Sequence, residues 1–205
     1  MTKKRQKILL KRAAALYGRC VLSTVLGFFM WISIGIIATA LIPDGEKISV
    51  AGNLAMNSIA LVIQGFLFGT IICSESWRHG DRDGAKDLFK GRQGDPHFGL
   101  KVALVATVPS WIAYFLMLAD KAFGLWSGML SAYRLVNGSL YPLMVWTLGN
   151  DLKLTIAQVP WMGAILSVLP ILITLAIAWV GYYLGYKQIA VMKRIMYKKD
   201  QPGRR

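Results

Sequence analysis

The chain has 205 residues, 55% of them apolar and only 17% charged, and 24 Lys and Arg against 10 Asp and Glu give a formal charge of +14. A soluble domain carries about a quarter charged residues, so this composition, with a mean hydropathy of +0.47, points to a membrane. The apolar content excludes a disordered chain, and two cysteines exclude a disulfide framework.

In chain order, residues 20–42, 50–74 and 162–186 each read as a membrane-spanning helix, because none holds a charge and each exceeds the about 18 apolar residues needed. Residues 102–119 form a fourth uncharged run, just long enough to cross. Pro43, followed by Asp44, Glu46 and Lys47, ends the first span. Ala38-Thr39-Ala40 fits a signal-peptide cleavage site, but the apolar run before it is too long for a signal core, and the first helix is expected to stay.

Twenty of the 24 basic residues fall before Cys20, within 75–101, or after Tyr186. Four spans place those three regions on one side, and the positive-inside rule makes that side cytoplasmic. The expectation is an all-α integral membrane protein: a four-helix bundle in a cell membrane such as a bacterial inner membrane. Both termini are then cytoplasmic, 75–101 is a cytoplasmic loop, and 187–205 is a basic cytoplasmic tail on the anionic inner leaflet. The chain is read as a single membrane domain. A fifth span over Leu135–Leu148 would put the basic tail outside, so it is disfavoured.

That leaves 120–161 as an extracytoplasmic segment. Asp120–Val136 reads as an interfacial or re-entrant helix, with Trp126 and Tyr133 suited to the headgroup level. Beyond it, Leu143–Leu148 and Leu152–Val159 flank Gly149-Asn150-Asp151 and read as a short β-hairpin, since Leu152, Leu154 and Ile156 alternate with Lys153, Thr155 and Ala157.

Two patterns lie on helix faces. In the last span Gly163, Ser167, Pro170, Thr174, Ala178, Gly181 and Gly185 recur every three or four residues, giving one small-residue stripe for close helix packing. Gly181 and Gly185 make one GxxxG, and Gly65 and Gly69 make another in the second span. Internal bundle packing is favoured over a dimer for both, because GxxxG is common in membrane helices. Pro170 is expected to kink the last helix. In the second span Asn53, Asn57, Gln64 and, if the helix continues, Glu75 fall within about 40° of one another. Such a polar face either lines a path or cross-links helices.

The 75–87 stretch holds His79, Asp81, Asp83 and Asp87, yet fits no cation motif. An EF-hand starting at Asp81 meets Ala85 and Arg92 where ligands belong, and His79 and His97 make no zinc pair. Asp83-Gly84 opens like the CDP-alcohol phosphotransferase motif, but the residues that should follow are missing. No phosphate loop or nucleophile elbow is present, so neither metal nor cofactor is expected. Cys20 and Cys73 are expected to be reduced. The basic ends need no nucleic acid to explain them, since the lipid surface already does.

In layout the chain resembles the small four-helix membrane proteins of Gram-positive bacteria, through Asn57, the Gln64–Gly69 run and the Glu75-Ser-Trp77 exit. The likeness covers three helices, and 120–161 departs from it. The function expected is a non-catalytic accessory or regulatory subunit that associates with a membrane-protein partner or a second copy. A small transporter using the polar face of the second helix, and a lipid-acting enzyme, are the alternatives.

Overall fold

The computed structural model describes residues 3–40, 49–90, 94–126, 128–149 and 154–187. The basic tail beyond Lys187 and residues 150–153 of the expected hairpin lie outside them. Every described element is a helix. Three helical stretches are long and apolar enough to cross a membrane, and a fourth is added if a bent pair counts as one span.

Helix α1 runs from Lys3 to Ala40 and α2 from Val50 to Phe89, 38 and 40 residues. At 1.5 Å per residue each is about 60 Å long, twice the hydrocarbon thickness. Ser49 caps α2, its hydroxyl accepting from Gly52 N at 3.0 Å. Residues 75–89, expected as loop, continue α2 as helix, because their charges pair with the basic start of α1 and with the last helix instead of needing solvent on all sides.

The fourth candidate span is α3, Phe98–Ala106, joined to α4, Val108–Phe123, with a 49° bend. Pro109 follows the bend and lacks a donor for the preceding turn, while Thr107 Oγ1 bonds back to Ala103 O at 3.0 Å. The last span divides similarly into α7, Trp161–Leu166, and α8, Leu169–Tyr186. The break expected at Pro170 falls just before it, at Ser167–Val168.

Between α4 and α7 the chain folds back into the bundle. Asp120 is buried and ties the turn by accepting from Trp126 N at 2.8 Å, and Gly124, in the left-handed region at φ 63°, ends α4. Helix α5, Met129–Val136, leads through a 3-10 turn at Gly138–Leu140 into α6, Tyr141–Leu148.

Two expectations fail here. Among the described residues there is no strand: 143–148 is helix because Pro142 suits the first turn of α6 and Gly149 ends it, and a capping box from Thr155 to Gln158 makes 156–158 a 3-10 turn. Tyr133, expected to face the headgroups, is instead fully buried and donates its hydroxyl to Ser167 O, whereas Trp126 is exposed.

Two cores result. One joins α1, α2, α3 and α8 around Leu16, Phe68, Ile72, Val102 and Tyr182. The other holds the returning segment through Tyr114, Met117, Tyr133, Met144 and Ile171.

Candidate functional site

The most extensive helix pairing is α2 with α8. Its seam is built from glycines on both sides. A Cβ at Gly181 would lie 2.8 Å from Cys73 O, and one at Gly185 2.3 Å from Trp77 O. Reciprocally, Cβ atoms at Gly80 and Gly84 would lie 2.1 Å from Tyr182 O and 2.2 Å from Tyr186 O. Gly80-Asp-Arg-Asp-Gly84 is thus a third GxxxG, legible at its spacing but hidden in a charged run read as loop. Further along α8 and α7, Thr174 and Ser167 are buried and bond to Pro170 O and Ala164 O, and Gly163 packs on Thr147 O.

The other glycine pair behaves differently. A Cβ at Gly65 would meet nothing within 4 Å, and one at Gly69 only Ile177 Cδ1 at 4.0 Å. Gly65, Gly69, Thr70 and Cys73 floor an open groove of about 850 Å³ on the outer side of α2, walled by Phe66 and Trp77.

The four polar residues of α2 share a face but not a role. Asn57 is buried and donates to its own helix at Asn53 O, 2.9 Å away; Asn53 itself is half-buried. Gln64, 2% exposed, donates to Gly27 O of α1 at 2.6 Å. Glu75 is buried beneath two arginines, Arg78 at 2.9 Å and Arg19 at 3.6 Å, with His79 Nε2 3.2 Å away in a geometry that makes no hydrogen bond.

Around Gln64 the 3-10 turn at 138–140 comes close. A Cβ at Gly27 would lie 3.2 Å from Gly138 O, and Gly138 itself abuts Phe28 and Thr24. Gln64 Oε1, Ser23 Oγ and Thr24 Oγ1 are buried here without a partner among the described residues. Gln64, Ser23 and Ser139 line a cavity of about 10 Å³, the room one water needs. Gln64 sits near the middle of its apolar run, and the non-helical backbone at 138–140 is covered there by α1 and α2.

The richest charged constellation lies where the start of α1 meets the ends of α2 and α8. Arg12 holds Asp83 with both terminal nitrogens, Nη2 to Oδ1 at 2.8 Å, and the Tyr182 hydroxyl donates to Asp83 Oδ2 at 2.9 Å. One turn further, the Tyr186 hydroxyl donates to Asp87 at 3.0 Å and accepts from Gly94 N at 3.1 Å. Asp95 accepts from Lys101 at 2.7 Å and from His97 N at 3.0 Å, and the Lys101 bond holds its carboxyl below the usual value. Arg5 and Arg12 both lie over the Phe98 ring, 5.5 and 5.7 Å from its centre.

The bonds that Arg12, Tyr182 and Tyr186 make here span 71 to 99 residues of sequence, so no local spacing reveals them. Among the described residues no three His, Cys, Asp or Glu side chains converge as for a metal ion. Cys20 and Cys73 are free thiols.

Such a fold defines an all-helical protein with three or four helices fit to cross a membrane. The chain matches no known protein family, no curated protein and no solved structure.

Proposed function

We propose that the protein is a non-catalytic accessory or regulatory subunit, working in a cell membrane through helix association. The carrying observation is the open groove at Gly65 and Gly69. Two of the three GxxxG pairs on α2 and α8 close on each other, and the third faces outward as a small-residue floor between Phe66 and Trp77. In lipid, small residues gain packing energy only when another backbone approaches them closely. A transmembrane helix of a partner subunit gives that approach. Of the acidic side chains at the charged end, Asp83 and Glu75 are held by arginines, an arrangement suited to holding helices together.

In this reading the groove opens to the bilayer and the basic ends face the cytoplasm. Gly65→Ile puts a branched side chain on the groove floor, and its Cβ meets no atom of the bundle within 4 Å. A photocrosslinker at Phe66 in native membranes should capture a partner in the wild type and lose it in Gly65→Ile, with the folded monomer unchanged. Capture of a second copy of this chain would make the interface homo-oligomeric. Equal capture in both forms, or none in either, removes the proposal.

The re-entrant turn supports a second reading, a small transporter, since broken helices meeting near mid-membrane are how substrate sites are built in many transporters. Gln64 and Ser139 would be its polar contacts. Flux in reconstituted vesicles that Gln64→Ala abolishes while the fold persists would favour it over association.

A further inference from the structure

We propose that the cleft between the start of α1 and the end of α2 is a binding site for a phosphate-bearing anion. The cleft encloses about 370 Å³, within the usual range for ligand sites. Arg5, Ile8 and Arg12 of α1 form one wall, and Asp83, Lys86, Asp87 and Lys90 of α2 form the other. Spacings of three and four residues put each set on a single helix face. Gly94, Asp95, Phe98 and Tyr182 complete the lining.

The cleft holds both signs of charge, but they are committed differently. All three carboxylates are already engaged: Asp83 by Arg12 and Tyr182, Asp87 by Tyr186, and Asp95 by Lys101 and the His97 backbone. Lys86 and Lys90 are exposed and form no ion pair among the described residues, and Arg5 stands 3.8 Å from its nearest carboxylate. Two unpaired lysines, and an arginine held only by a long ion pair to Asp95, therefore line one cavity with donors to spare. A cation wants a carboxylate or a phosphate there, and the cavity's carboxylates are spent on other partners. The Arg12–Asp83 pair and the two guanidinium contacts to Phe98 keep the wall rigid, so the site is formed before a ligand arrives.

Position adds a reason for phosphate. Trp179, near the end of the apolar run of α8, donates its indole Nε1 to His97 Nδ1 at 3.2 Å, and tryptophan favours the membrane–water boundary. Asp83 and Tyr182 lie one turn beyond that level, which is headgroup depth, and Lys90 lies further out towards water. A lipid headgroup and a soluble phosphate both reach such a site.

The test uses the full chain in phosphatidylcholine nanodiscs, with or without phosphatidic acid, and inorganic phosphate as the soluble probe. Native mass spectrometry reads retained phosphatidic acid, and calorimetry reads phosphate binding in the discs of phosphatidylcholine alone. Each lysine is expected to contribute about fivefold, so Lys86→Gln with Lys90→Gln should weaken binding about twenty-five-fold. Lys7→Gln with Lys11→Gln removes the same charge from α1 outside the cleft and should change nothing. Retention of phosphatidic acid without phosphate binding identifies the headgroup as the source, and phosphate binding identifies a soluble one. The proposal is overturned if neither probe saturates the wild type, or if both double variants lose binding equally. All four lysines are exposed, so circular dichroism should show an unchanged fold.

Discussion

Replacing a glycine by alanine at two places on the same helix should move stability in opposite directions. At Gly84 the added Cβ would sit 2.2 Å from Tyr186 O, against 3.4 Å for an ordinary contact, so α2 and α8 must part by roughly 1 Å. The obstruction is backbone, which cannot rotate away as a side-chain tip can. Overpacking costs about 1–3 kcal/mol, and this site belongs at the upper end. Loss of helical glycine returns about 1 kcal/mol, leaving a net loss of about 2 kcal/mol. Gly65→Ala meets no atom within 4 Å and keeps only the propensity gain, up to about 1 kcal/mol. The two variants should therefore differ by about 3 kcal/mol. Denaturation of the monomer in mixed micelles, followed by tryptophan fluorescence, measures this directly. Equal shifts at the two sites would refute the α2–α8 seam as described.

Gln64→Leu removes the bond to Gly27 O, and because such interhelical bonds average about 0.6 kcal/mol, monomer stability should fall by less than about 1 kcal/mol. A larger loss would mean that the returning turn at 138–140 depends on Gln64. Arg12→Gln and Asp83→Asn should show a coupling of about 2 kcal/mol in a double-mutant cycle, since the side chains are only 14% and 21% exposed and share two charged hydrogen bonds; additive losses would contradict the pairing. Single cysteines at Lys4, Lys90, Lys153 and Lys198, in a chain lacking Cys20 and Cys73, test the proposed topology with an impermeant reagent. Only position 153 should label from outside, and labelling at 198 would require an odd number of spans.

The sequence by itself located the apolar runs, and the last, 162–186, matches its helical stretch, whereas α1 starts well before 20 and α2 runs on to Phe89. Hydrocarbon demands a long uncharged run, and that demand is written along the chain, as at 20–42 and 162–186. It also marked Asn137, Gly138 and Pro142 as interruptions of Leu135–Leu148, and there the chain breaks between α5 and α6. Only tertiary structure decided the rest. The helical state of 75–89 depends on Arg12 and Tyr182 reaching Asp83 from far along the chain, so its charges read locally as a solvated loop. The GxxxG at Gly65 and that at Gly181 look alike as strings, yet one opens outward and the other is closed by Cys73 and Trp77. The hairpin reading failed for the same reason: alternation over a few residues is a weak local signal, and burial of Met144 and Leu148 against α7 and α8 favoured a helix. Spacing tells which side chains share a face, and only packing tells what that face meets.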